Sequence, residues 1–149
     1  MLDPTAAIGQ IPCMCARLRG ATRVVSRMYD DQISATGVRG TQFTLLMVLS
    51  HTGPIRQGEI ADVMLADATT LSRTLQPLER EGWIASSEGE DRRERVWSIT
   101  GLGRKKLDAA RGSWTKAQGQ LRAGLTPDEW ETLAALLAKV SRVALAAQN

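Results

Sequence analysis

The chain has 149 residues, 43% of them hydrophobic, a length and composition suited to one domain with its own core. It contains no apolar run of about eighteen residues and no basic region, apolar run and cleavage site at its start, so neither a membrane span nor a secretory leader is expected and a cytoplasmic compartment is the expectation. The net charge is +3, yet between Arg56 and Lys106 nine basic residues face nine acidic ones, so any contact with nucleic acid rests on where the charges stand.

Met1 to Ile11 holds Pro4 and Gly9 and little periodicity, and reads as an arm or a short lead-in. Pro12 marks a helix start. From there Cys15, Leu18, Thr22, Val25, Tyr29 and Ile33 recur at helical spacing, giving a long helix with one buried face and a solvated side bearing Arg19, Arg23, Ser26, Arg27 and Asp30. Gly37 ends it. Thr41 to Leu49 is apolar almost all round and should be a buried helix, stopped by His51-Thr-Gly-Pro54. Ile55 adds a short strand, and Arg56 to Leu65 is a short helix with Ile60, Val63 and Met64 on one side.

Asp67 to Gly82 carries Leu71, Leu75 and Leu78 at helical spacing, with Asp67 as N-cap and Gly82 as the stop. Thr69, Arg73, Gln76 and Arg80 then project opposite the leucines, and none is acidic. Pro77 lies inside this helix and in isolation would cost about 3 kcal/mol. A single kinked helix is expected, because the leucines stay in phase across it. Trp83 to Ser87 and Arg95 to Ile99 alternate as two strands around the charged tip Glu88 to Glu94. Thr100-Gly-Leu-Gly103 opens another helix, with Leu102, Lys106, Leu107, Ala110, Trp114 and Ala117 leading to Leu121. Thr126-Pro127-Asp128-Glu129 starts the last one with a capping box. Its stripe of Trp130, Leu133, Leu136, Leu137, Val140, Val143 and Ala144 exceeds what one chain needs, which points to a shared dimer interface. Intramolecular packing of the two termini is the alternative.

The expected fold is therefore mainly α with a small β-hairpin wing. It has a winged helix-turn-helix core over 55–100 and dimerisation helices over 12–36 and 100–149, all within one domain, 1–149. The wing's Asp91-Arg92-Arg93 with Ile99-Thr100, and the helix end Leu78-Glu-Arg-Glu-Gly-Trp-Ile84, resemble the multiple-antibiotic-resistance regulator (MarR) family. The layout is similar from about Cys13 to the C-terminus. This resemblance implies a homodimeric bacterial regulator of transcription.

On that reading the partner is double-stranded DNA, bound as a homodimer on a pseudo-palindromic operator by a protein expected to act as a repressor. Thr69, Thr70, Arg73 and Gln76 stand nearest base edges, since arginine addresses guanine and glutamine adenine with paired hydrogen bonds, and Arg80 meets phosphate. Arg92, Arg93 and Arg95 crowd the wing, with Arg93 directed to the minor groove and Asp91 steadying the tip. The competing reading is a winged helix that binds protein, or a thiol-reactive protein without sequence-specific DNA binding.

Other chemistry is sparse. His51 is the single histidine, and there is neither a phosphate-binding glycine loop nor a hydrolytic triad, so no enzyme, cofactor or metal site is expected. Cys13 and Cys15 fall in the first turn of the long helix, where the helix dipole favours a thiolate. They lie about 200° apart on a helical wheel and converge only if the segment is extended, when they could chelate a soft ion. The spacing of Cys15, Leu18, Ala21, Arg23 and Tyr29 is similar to the first helix of the organic-hydroperoxide-sensing branch of the family. That likeness implies a peroxide-reactive Cys15 with Tyr29 as one of two partner-subunit tyrosines. Gly40 stands at the other tyrosine's position, and Cys13 is an addition. The effector is then an oxidant or a small aromatic acid, or Cys15 is simply a small apolar residue at a dimer contact.

Overall fold

The hub of the fold is α3 (Gly40–Thr52), which buries Phe43, Leu45, Leu46 and Leu49 while Thr41, Thr44 and His51 stay exposed. The computed structural model describes residues 4–91 and 94–148. It divides into two compact units, Met1–Trp114 and Thr115–Asn149, and α6 (Gly101–Ala123) contributes to both.

In the first unit, α2 (Met14–Ile33) runs into a 3-10 turn (Ser34–Thr36) that Gly37 ends with φ +77°, a left-handed conformation that suits glycine. Ile33 and Val38 pack into the core around α3. β1 (Ile55–Arg56) leads to α4 (Gln57–Met64), and a tight turn with Leu65 at φ +50° delivers the chain to α5 (Ala68–Arg80). Leu71, Leu75 and Leu78 of α5 are at most 1% exposed, so its apolar stripe is wholly used. β2 (Ile84–Glu88) and β3 (Arg95–Ile99) form the hairpin, and β3 is the middle strand of an antiparallel sheet ordered β1-β3-β2. Ile84 pairs with Ile99, and Trp97 lies opposite both Ser86 and Ile55. Alternation sends Trp97 and Ile99 into the core, and the Trp97 indole N–H donates to Gln57 Oε1 at 3.1 Å. The first part of α6 closes the core with Leu107 and Ala110, and Trp114 stacks on Phe43 with ring centroids 5.6 Å apart.

The second unit holds the end of α6 and α7 (Pro127–Ala146). The Thr126 capping box forms as expected: Glu129 N–H donates to Thr126 Oγ1 at 3.2 Å, and Thr126 N–H donates to Glu129 Oε2 at 2.8 Å. No described residue of α7 is buried.

Three expectations need correction. The first residues form a helix, α1 (Pro4–Gln10), rather than a lead-in. Two turns need few anchors: Ile8 fills the space beside Gly20, and the Arg17 guanidinium donates to the carbonyls of Gly9 and Ile11. α2 starts at Met14 instead of Pro12, since Cys13 is extended and its carbonyl accepts the first helical bond, from Arg17 N–H at 3.1 Å. Val63 (58% exposed) and Leu102 (48%) face solvent despite their place in the apolar pattern, and the buried places are taken by Ile60 in α4 and by Leu107 in α6. As expected, α5 continues through Pro77 as one helix. Among the described residues, no helix is long and apolar enough to cross a membrane.

Candidate nucleic-acid interface

α5 is fixed at both ends. At its start the Asp67 carboxylate accepts Thr70 N–H at 2.8 Å and the Thr70 hydroxyl at 2.6 Å. The hydroxyl bond first, then the amide, hold the Asp67 carboxyl below the usual aspartate range. At its end Trp83 N–H reaches Leu78 O and Gly82 N–H reaches Glu79 O, both at 2.9 Å, with Gly82 at φ +69°. This is the double-bonded stop that a left-handed glycine allows, and Trp83 is buried in the same core as Leu78.

With the leucine stripe turned inward, Thr69, Arg73, Gln76 and Arg80 all come out exposed on the opposite face. The structure thus brings these four together as the spacing requires. Thr70 is placed differently. It sits on the flank with its hydroxyl committed to Asp67, so it serves first as a capping residue. The one acid in α5, Glu79, is directed to the hairpin, where its Oε1 accepts the Ser86 hydroxyl at 2.8 Å. This exposed face therefore carries two guanidinium groups and no carboxylate.

In the hairpin, Gly89 N–H donates to Glu94 O at 2.9 Å and Glu94 N–H donates to Asp91 O at 2.8 Å, so Asp91 helps close the tip through its backbone carbonyl. Arg92 and Arg93 lie outside the described residues. Arg95 is exposed with its guanidinium 5.4 Å from the Trp97 ring centroid. Behind the wing, Arg56 pairs with Glu59 at 2.9 Å and Glu94 at 3.8 Å. The hydrogen bond from Arg56 chiefly holds the Glu59 carboxyl below its usual range.

Sequence reasoning missed the joint between the hairpin and α6. Thr100 Oγ1 lies 2.6 Å from Gly82 O and 3.1 Å from Trp83 O, and it accepts Gly103 N–H at 3.1 Å. A Cβ on Gly103 would stand 2.0 Å from Trp83 O, so only glycine permits this approach. Lys106 completes the joint 5.2 Å from the Trp83 ring centroid. The signal available was a glycine in a first helical turn, which reads equally well as a weak helix start.

Cys13 and Cys15 are exposed free thiols, with Cys13 just outside α2 and Cys15 its second residue. Tyr29 is half-buried, and burial pushes its phenol up. It stands fourteen residues beyond Cys15 on the same helix, a rise of about 21 Å, so one protomer does not unite them. Tyr29 instead lines a cavity of about 190 Å³ with Ser26, Ile33, Gly40, Thr41, Thr44 and Trp114. Among the described residues, no three His, Cys, Asp or Glu side chains gather as a metal site.

The model of the MarR family matches residues 40–94, which take in α3, α4, α5 and the hairpin tip. Over these residues the chain carries a MarR-family domain. The relative YwoH of Bacillus subtilis (strain 168), an uncharacterized HTH-type transcriptional regulator, is 27% identical over 120 residues, covering 80% of this chain and 88% of that protein. The M. tuberculosis transcriptional regulator MosR, solved in complex with DNA, superposes with a TM-score of 0.85 at 28% identity, over 92% of this chain and 99% of that one. A mutant of E. coli MarR complexed with operator DNA gives 0.77 at 24% identity, over 93% and 99%, a likeness of fold.

Proposed function

We propose that this MarR-family chain is a transcriptional regulator that binds double-stranded DNA as a homodimer, with α5 in the major groove and the wing beside it. The observation that carries this reading is the exposed, acid-free face of Thr69, Arg73, Gln76 and Arg80, opposite a stripe whose leucines are wholly consumed by the core. A helix spends its apolar side on holding position and offers the other side to a ligand rich in paired acceptors. Arg73 and Gln76 address base edges, Arg80 phosphate, and Arg95 with the neighbouring wing arginines the adjacent backbone and minor groove. The MosR complex with DNA supports the same use of the fold.

The homodimer is supported by α7, where Leu133, Leu136, Leu137, Val140 and Val143 are all more than 40% exposed along one helix. Occupying a promoter operator then represses the gene, and an effector releases it. The cavity beside Tyr29 is sized for a single-ring aromatic molecule. A second route is favoured by the exposure of Cys13 and Cys15: a hydroperoxide transfers one oxygen to a thiol, giving sulfenic acid, and leaves as the alcohol.

The test is a binding titration with a duplex the protein selects, before and after stoichiometric hydroperoxide. Arg73→Ala is expected to cost about 1–3 kcal/mol of specific binding and to relax one base position. Unaltered affinity and preference in Arg73→Ala would rule α5 out as the reader and leave a winged helix for protein contact. Response to peroxide that survives in both Cys13→Ser and Cys15→Ser would remove the thiol route.

A further inference from the structure

Besides its reading face, α5 turns a flank towards the start of α3. Thr70, Arg73, Thr74 and Pro77 from α5, with Arg39, Thr41 and Gln42 from the start of α3, line an open cleft of about 300 Å³. Its lining holds two guanidinium groups, three hydroxyls and an amide, and no carboxylate. Several polar groups there are already committed inside the protein. Arg39 N–H donates to Gln42 Oε1 at 2.9 Å, Gly40 N–H to Asp30 Oδ1 at 2.7 Å, the Thr74 hydroxyl to Thr70 O at 3.0 Å, and the Thr70 hydroxyl to Asp67. The backbone at the helix start is thus occupied by the protein's own side chains. What the cleft offers a ligand is the Arg39 and Arg73 guanidinium groups, with the Thr41 hydroxyl between α3 and α5.

We propose that this cleft grips a phosphate of the DNA backbone, with Arg39 as the principal contact and Thr41 as a second donor. The inference rests on α5 as the recognition helix. A helix with its side chains is about as wide as the major groove, so when its outer face meets base edges, its flanks run against the phosphates on the groove walls. Arg73 sits where the reading face meets the cleft, which puts Arg39 one position out from the bases, on the backbone. An oxyanion there needs planar, permanently charged donors and the absence of competing carboxylates, and a guanidinium supplies two parallel N–H groups to a phosphate. Asp30, which meets α3 at Gly40, keeps one carboxylate oxygen engaged by that amide.

The experiment uses the full chain, a fluorescent duplex carrying its selected sequence and a second duplex of scrambled sequence, titrated between about 50 and 200 mM salt. Arg39→Ala is expected to weaken both duplexes by the same factor, to leave base preference untouched, and to make log K against log salt shallower by about 0.9. Arg39→Lys restores the salt slope, because the charge returns, and only part of the affinity, because the paired donors do not. Wild-type slope and affinity in Arg39→Ala would overturn the proposal, as would a loss confined to the selected duplex, which belongs to a base contact. Arg73→Ala run alongside shifts base preference. Failure of the unaltered protein to bind either duplex would instead overturn the reading of α5, and Arg39 with it.

Discussion

Asp67 does at one residue what the whole interface needs: it fixes where the recognition helix begins. Its carboxylate takes both the amide and the hydroxyl of Thr70, and those bonds hold its acid form off to lower pH than in an unfolded chain. A group whose folded pKa is depressed stabilises the fold fully above its unfolded value and loses that contribution as pH falls through the folded one. Asp67→Ala is therefore expected to melt below the unaltered protein at neutral pH. The gap in Tm should hold steady down to about pH 4 and shrink below it. A gap that stayed constant to pH 2 would show that the charge of Asp67 plays no part in the cap. At this scale much was legible beforehand. The spacing of Leu71, Leu75 and Leu78 fixed which face Arg73 and Gln76 share, since three buried leucines determine the rotation of a helix. The turn of the Thr70 hydroxyl to Asp67 was not legible, because a side chain's choice of partner is not written in spacing. Arg39 was passed over because it belongs to another helix and meets Arg73 only in the folded chain.

The elements that read cleanly were those with strong periodicity or strong punctuation: α3 from its unbroken apolar run, α5 from its stripe and glycine stop, α7 from its capping box, the hairpin from alternation around a charged tip. α1 did not, because seven residues held by Ile8 at Gly20 and by Arg17 at two carbonyls leave no repeating pattern. The joint at Thr100 was also invisible, being a contact between chain segments about twenty residues apart. That joint has a physical consequence. The end of α5 is bonded through Gly82 and Trp83 to the start of α6, so the recognition helix cannot swing without moving α6. Gly103→Ala is expected to destabilise the chain by about 1–3 kcal/mol, because the added methyl meets backbone and cannot be absorbed by a side-chain rotation. Denaturant unfolding of the two proteins measures it. A midpoint equal to that of the unaltered chain would mean that α6 and the Trp83 carbonyl are not held at the approach described.

For the whole molecule, the exposed apolar stripe of α7 is the feature on which the proposed homodimer rests. The stripe itself was legible in the sequence and stands exposed in the fold, whereas a single sequence does not say how two copies would cross. Leu137→Asp is expected to raise the dimer dissociation constant well over tenfold, because an unpaired carboxylate in an apolar seam costs several kcal/mol, about two decades of affinity or more. Sedimentation equilibrium reads this directly, and a dimer of unchanged strength would place the interface elsewhere. A dimer in turn sets the form of the DNA site, with two α5 helices on one face of the duplex and half-sites related by two-fold symmetry.

Selection of duplexes from a random pool by the purified protein, followed by sequencing and repeated with Arg73→Ala, tests the central claim most directly. The account predicts a pseudo-palindromic site with half-site centres about 34–36 Å apart, one turn of DNA. It further predicts that Arg73→Ala loses the preference at one symmetric pair of positions. A pool that emerges without sequence enrichment, or the same site selected equally well by Arg73→Ala, would contradict it.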